Sequence, residues 1–509
     1  MLFLAFAGVM YGMTRMAIQT WWTSPLFVII AVQIGGVAIS LLSSTRKRRS
    51  NLAEHRARIA AYRPARYPSV DVFLPTAGED LQILANTYQH VSRLRWPGVM
   101  TVYVLDDSDR LAVRELAERH GFRYLVRPNR PIMKKAGNLA YGFAYSNGEL
   151  IHVFDADFAP REDMTLEIAP YFEDPKIGIV QTPQYFDVKH PDFNWLQRAA
   201  GATQELFYRW IQPARDAVDA AICVGTNAIY RRAALMAGGG FAQIGHSEDV
   251  HTGVNMAKAG YVTRYVPVNL AKGVCPDDFD GFAPQQYRWC TGSMSLLGDP
   301  RFHRSPLTVK QKLCFWTGFL YYITTSLAVF TVPIPGLLMA WFFPQYIKPA
   351  NYLPLVGAVV VWAFMMPVVT HGRWTPAVVR IQLLIGFCHT VALFDFLRER
   401  TAAWVPTGAA KGAPIAKRVF RLLRTWLLTV HLLLWLGLAL GAATYGIDRY
   451  WASILLTLPS MYFTVPLLLG NAGLRRRRPL PAPGRSAVAL GRNKPTRQPQ
   501  PATPVRVKA

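Results

Sequence analysis

Two aspartates one residue apart, Asp155 and Asp157, close an apolar run at residues 150–154. Residues two apart on a strand point to one face, so a strand ending there presents both carboxylates as hard oxygen ligands for a divalent cation. Three more groups with chemical capacity share the middle of the chain: Asp106-Asp107, Ser247-Glu248-Asp249, and Gln285, Arg288 and Trp289. A carboxylate such as Asp249 can act as a general base once burial and a negative neighbour raise its pKa toward neutrality. Ser247 is suited to cap a helix whose first turn holds Glu248 and Asp249, which would fix that base in place. On a helix, Gln285, Arg288 and Trp289 share one face, pairing a guanidinium that binds phosphate bidentately with an apolar indole plane. Asp106 and Asp107 can accept hydrogen bonds from a ligand, or form an Asx turn with Ser108. Lys134-Lys135-Ala136-Gly137-Asn138 sets lysine beside a glycine, where it can approach a phosphate as a point charge.

These groups are far apart in sequence and need a scaffold that gathers them. The apolar runs at 70–74, 101–105 and 150–154 each end in acidic or turn residues, with helical patterns between them. That alternation predicts an α/β domain with a mostly parallel sheet over residues 68–300. Ligands collect at the carboxyl ends of such strands, where Asp106 and Asp155 stand.

Apolar segments flank that domain. Residues 2–21 and 25–42 read as a hairpin of candidate spans, and 315–343, 352–370, 419–443 and 451–469 add four more, each near the roughly 20 residues that cross a bilayer. The apolar segment 378–396 is expected to lie in the membrane interface instead. As a span it would put Arg398, Arg400, Lys411, Lys417 and Arg418 on the outer side, against the rule that basic residues stay in cytoplasmic loops. The organisation expected is a transmembrane hairpin (1–43), a basic cytoplasmic linker (44–67), the α/β domain (68–300), an interfacial segment with two transmembrane helices (301–372), an interfacial helix and loop (373–418), two transmembrane helices (419–470) and a disordered basic tail (471–509). Six spans leave both termini in the cytoplasm.

Composition supports the membrane reading, since 51% of the 509 residues are hydrophobic. The formal net charge of +25 could suggest nucleic acid, but the positive residues cluster at Arg46-Lys47-Arg48-Arg49, between Arg56 and Arg66, and after Arg475, all beside apolar segments. Such clusters suit anionic lipid headgroups, and no nucleic-acid recognition motif accompanies them. The five cysteines show neither CxxC pairs nor zinc spacing, which indicates a reduced compartment.

In order and spacing, the four motifs resemble the D, DxD, TED and QxxRW series of processive family 2 glycosyltransferases, the cellulose, chitin and hyaluronan synthases, over roughly residues 68–470. Lys135-Ala136-Gly137-Asn138 is similar to the KAGN element of cellulose synthases, and Gln181-Thr182-Pro183 to the family's QTP. The resemblance implies a GT-A-type nucleotide-sugar transferase domain inserted between transmembrane α-helices. It implies that Asp106, Asp107, Lys135, Asn138, Asp155, Gln285 and Arg288 meet the donor, and that Asp155 and Asp157 hold Mg²⁺ or Mn²⁺. Asp249 becomes the base, while Trp289, Glu248, Gly225 and Thr226 meet the acceptor. Trp404-Val405-Pro406-Thr407-Gly408 is similar in part to the cellulose synthase gating loop, so Trp404 and Thr407 are expected to close over the donor. Departures are Ser247 for Thr, Val224 where cellulose-type chains carry Cys, and Trp404 for Phe.

Two functions follow from the resemblance. The first is an inverting synthase that polymerises UDP-glucose or UDP-N-acetylglucosamine into a β-linked polysaccharide and exports it through its own spans. The second is a non-processive transferase acting on a polyprenyl-phosphate or another lipid, a branch that typically lacks QxxRW. Implied partners are a UDP-sugar, the growing polysaccharide, the lipid bilayer and accessory export proteins. The implied location is the inner (plasma) membrane, multi-pass, with the catalytic domain cytoplasmic. The choice of sugar rests on dispersed residues that no motif reveals.

Overall fold

A computed structural model describes residues 2–19, 25–44, 52–188, 190–369, 374–400 and 414–474. The three apolar runs fold as strands β1 (Val70–Thr76), β2 (Met100–Asp106) and, after the short β3 (Arg123–Leu125), β4 (Leu150–Val153). Every residue of β1 is buried, as suits a strand covered on both faces. The intervening helices show why they dock. In Leu81–Val91 the buried residues are Leu84, Thr87, Tyr88 and Val91, one stripe at helical spacing, and Asp80 caps the start by accepting from Gln82 N–H.

β1 pairs in parallel with β2 and β4, and β2 with β3. The small sheet strand β5 (Phe158–Pro160) follows β4; β6 (Ile177–Gln181), β8 (Ala228–Arg231) and β9 (Val262–Tyr265) complete the main sheet, and β7 (Tyr185–Phe186) and β10 (Ala271–Gly273) join β5. The main order is β3-β2-β1-β4-β8-β6-β9. β8 runs antiparallel to both neighbours, so the mostly parallel sheet expected from the sequence is present with one strand reversed. In register, Thr76 lies opposite Asp106, and Asp107 N–H donates to Thr76 O at 2.9 Å. Phe154 N–H donates to Phe73 O at 3.1 Å, so the β1, β2 and β4 ends finish side by side.

Among the described residues five helical stretches are long and apolar enough to cross a membrane: Val309–Phe342, Pro349–Val368, Ala377–Leu397, Pro414–Tyr445 and Ile447–Gly473. The sequence placed four spans after the catalytic domain and kept 378–396 apart. By length and hydropathy Ala377–Leu397 is a candidate span like the other four, and it differs from them in burial. Ala377–Leu397 is 61% buried inside the protein, against 12–28% for the other four. It packs against the helices Phe279–Leu297 and Val309–Thr331, and its Asp395 accepts from Tyr287 Oη (2.9 Å) and pairs with Arg418 (2.7 Å). Near the amino terminus, Leu2–Gln19 and Pro25–Ser44 pack on one another, and the second also lies against Val309–Thr331. The linker contains the helix Leu52–Ala61, docked through His55 to Tyr171 Oη (2.8 Å) and Glu167 (3.0 Å). The expected gating segment, with Trp404 and Thr407, and the basic tail from Arg475 lie outside the described residues.

Candidate active site at the strand ends

Asp106 ends β2 fully buried, and its carboxylate accepts from Ser108 N–H (2.8 Å), Arg110 N–H (3.1 Å), the Ser108 hydroxyl and Tyr124 Oη (2.8 Å). This is the Asx turn that Ser108 allowed. Asp107 is also occupied, taking a bidentate pair from Arg127 Nε (2.7 Å) and Nη2 (2.6 Å). Arg127, wholly buried, donates onward to the carbonyls of Ile132 (2.5 Å) and Lys134 (3.0 Å). Asp107 therefore fixes, through Arg127, the loop that delivers the lysines. Asn138 is likewise turned inward, donating to Leu105 O at 2.6 Å. Asp106 and Asn138 brace the strand end, and neither opens onto the cleft.

Lys135 stands at the centre of the site. Its ammonium donates to Asp155 Oδ1 (2.5 Å) and Gly225 O (3.1 Å), and lies 3.6 Å from Glu248 Oε1. Burial works against its charge, but Asp155 and Glu248 outweigh it and raise its pKa. Gly225-Thr226-Asn227 crosses beneath. Thr226, fully buried, accepts from Asp155 N–H at 2.9 Å, while Gln181 donates to Thr226 O (2.8 Å) and accepts from Val224 N–H (2.9 Å). Thr226 thus orients the aspartate pair from below. Gly225 has φ +76°, and a Cβ there would meet Asp249 Oδ2 at 2.8 Å. Only glycine combines that backbone with so close a carboxylate.

Asp249 lies in the first turn of the helix Glu248–Lys258, accepting from Val250 N–H at 2.8 Å. The expected cap is absent. Ser247 adopts left-handed backbone (φ 53°, ψ 46°) and makes no side-chain capping bond. Its hydroxyl is instead pressed against the helix Phe279–Leu297, where a Cβ on Gly292 would fall 1.9 Å from Ser247 Oγ. That close approach, rather than a cap, sets the position of the base. It also brings Arg288, one turn before Gly292, toward Asp155, Glu248 and Asp157. Gln285, Arg288 and Trp289 are half-buried on this helix, which starts at an Asp278 cap to Gly281 N–H (2.8 Å).

Charges in the cleft are unevenly matched. Burial and then Glu248 push Asp249 up to about 7, placing it where a carboxylate both takes and releases protons near neutrality. Burial and then Asp155 push Asp157 up to about 7. Burial lowers Arg288 to about 10 despite its acidic neighbours, and burial with Arg288 lowers Lys134. Asp155, already held by Lys135, and Asp157 two residues on supply two carboxylates whose hard oxygens fit a divalent ion. No cage of three or more His, Cys, Asp or Glu converges among the described residues, so remaining ligands would come from a bound substrate. The motifs did not single out Arg127, Gln181 as a brace, or His246 beside Lys134 and Arg288. Arg127 carried no sequence signal because its partner Asp107 lies 20 residues away.

Residues 150–470 match the model of the glycosyl transferase family group 2. Cellulose synthase 1 of Komagataeibacter xylinus is 32% identical over 318 residues, covering 61% of this chain and 20% of that protein. The UDP-forming cellulose synthase catalytic subunit of Pseudomonas fluorescens is 29% identical over 418 residues, 76% of this chain and 55% of that one. The chain thus spans from a fifth to about half the length of these relatives. A mannosyltransferase from Pyrobaculum calidifontis, solved with GDP-Man and Mn²⁺, superposes with a TM-score of 0.50 at 17% identity, over 74% of this chain and 99% of its own, a likeness of fold. The sheet, the order of the motifs along it and these matches lead to one assignment: the chain belongs to glycosyl transferase family group 2 and is a cellulose synthase-like glycosyltransferase.

Proposed function

We propose that this enzyme polymerises a sugar from UDP-glucose or UDP-N-acetylglucosamine into a β-linked polysaccharide, with inversion at the anomeric carbon, and exports it along its membrane helices. The observation that carries the reading is Asp249 facing Gly225 across the cleft that holds Lys135 and Asp155. Asp249 takes the proton of the acceptor hydroxyl as that oxygen attacks the anomeric carbon. The bond from that carbon to the diphosphate breaks, and the nucleotide leaves with the electron pair. Arg288 and Lys134 receive the growing negative charge, and Trp289 offers its indole face to the terminal sugar. Asp155 and Asp157 would hold Mg²⁺ or Mn²⁺, which supplies charge neutralisation at the diphosphate. Lys135 keeps Asp155 and Glu248 in place beside it.

The acceptor path suits a chain that grows, because the Trp289 helix packs directly against Ala377–Leu397, one of the long apolar helices. The basic residues after that helix, Arg398, Arg400, Lys411, Lys417 and Arg418, support an interfacial place for it and a catalytic domain on the cytoplasmic side. The test is to incubate reconstituted protein with labelled UDP-sugars, then separate insoluble polymer, lipid-linked sugar and free sugar. Polymer digested by a β-linkage-specific hydrolase is the expected product. Label confined to a single sugar on lipid overturns the reading.

A further inference from the structure

We propose that His246 is an additional donor-binding residue whose imidazole N–H hydrogen-bonds to the diphosphate of the sugar donor between Lys134 and Arg288. The inference rests on the reading of this cleft as a UDP-sugar site. Three observations support it, beginning with placement. The left-handed turn at Ser247 carries residue 246 off the axis of the Glu248–Lys258 helix. It is set against the neighbouring helix at Gly292, whose Cβ would lie 3.4 Å from the His246 carbonyl carbon. Arg288 lies one turn earlier on that helix, so the histidine and the arginine belong to one wall.

The second observation concerns partners. Among the described residues the His246 ring makes no hydrogen bond, and its Nδ1 is enclosed without one. Buried ring nitrogens are normally satisfied, and an orphan in a cleft marks a group that meets its partner only when ligand is bound. The third is charge. Burial, then Lys134, then Arg288 push His246 down to about 4, so at working pH the ring is neutral and offers one N–H beside two cations. Arg288 also interacts with Asp155, Glu248 and Asp157. A wall of two cations and a neutral donor facing a pair of carboxylates matches a diphosphate that also binds a divalent ion. A structural imidazole would instead donate to a backbone carbonyl or carboxylate, and the His246 ring makes no such bond among the described residues.

The test uses the full chain in lipid nanodiscs with UDP as the probe, read by calorimetry in Mg²⁺, and uridine as the control. His246→Ala is expected to weaken UDP about tenfold to a hundredfold, the scale of one hydrogen bond to a charged group, and to leave uridine unaffected. His246→Asn restores an N–H near Nδ1 and should recover most of the UDP affinity. The proposal is overturned if a folded His246→Ala binds UDP as tightly as wild type. It is overturned equally if the Asn variant is as weak as Ala while both melt like wild type, since a packing role would then explain the loss. Wild type failing to bind UDP at all would remove the functional reading and this inference with it.

Discussion

Replacing Gly225 by alanine tests whether the place of Asp249, and not merely its presence, sets the rate. The added Cβ would lie 2.8 Å from Asp249 Oδ2 and 3.0 Å from its Cβ, so against an ordinary contact of 3.4 Å the carboxylate must retreat by about 0.6 Å. The backbone there has φ +76°, where a non-glycine residue costs about 1–2 kcal/mol. A displacement approaching 1 Å at a reacting group lowers rates by about a hundredfold, so transfer should fall by roughly 30- to 100-fold. UDP affinity should stay within about threefold, because the Gly225 carbonyl that Lys135 uses is backbone and survives the change. Gly245→Ala is the matched control, since its Cβ would meet nothing within 4 Å. Initial rates of sugar transfer, UDP titration by calorimetry and a thermal melt on both variants decide the matter. Full transfer by a folded Gly225→Ala would refute the geometric argument. A collapse of UDP affinity would move the role of Gly225 to the donor side.

Asp155→Ala and Asp157→Ala should each lose metal-dependent UDP affinity along with transfer, and UDP titrations with and without Mn²⁺ would show it; affinity indifferent to metal and to both changes contradicts the ligand assignment. Trp289→Ala should abolish polymer while UDP affinity persists, since removing a large stacked ring costs about 3–5 kcal/mol on the acceptor side alone; product separation and UDP titration read the two effects, and polymer formed at the wild-type rate counts against it. The pH profile of kcat/KM should have an acid limb near 7, because Asp249, raised to about 7 by burial and Glu248, must be unprotonated to act. The same shift has a sign for stability. The folded chain keeps a proton that the unfolded chain releases near 4, so between roughly 4 and 7 stability falls as pH rises. The melting temperature of Asp249→Asn relative to wild type should therefore climb across that window and level above it, and a flat difference would show that Asp249 is not raised.

The order of elements was legible because the physics is local. The runs at 70–74, 101–105 and 150–154 have the length and apolarity of buried strands; β1 and β2 extend theirs by two residues each, and β4 stops one residue short. Asp106 was expected at the end of its strand, and the register of Thr76 with Asp106 puts it there. What sequence did not show was direction. Asp106 looks like Asp107 in a string of letters, yet one closes an Asx turn and the other holds Arg127. Serine ahead of two acids reads as a helix cap, but the close approach of Gly292 takes Ser247 into the left-handed region and removes it from that task. The brace from Gln181 to the Gly225 turn depends on β6 and β8 being neighbours, a tertiary fact with no signal in either segment. The 378–396 segment shows the same limit, since hydropathy registers composition and cannot register which neighbours bury a helix.

The most direct test of the central claim is UDP binding and sugar transfer measured on the same preparation of Asp249→Asn in lipid nanodiscs. The carboxylate is proposed to act only on the acceptor proton, which the donor complex does not need. Calorimetry should give UDP affinity in Mg²⁺ close to that of wild type, while transfer from labelled UDP-sugar falls by at least about a hundredfold, the scale on which a general base contributes. Loss of UDP binding in the variant, or transfer within a few-fold of wild type, would contradict the assignment of Asp249 as the base.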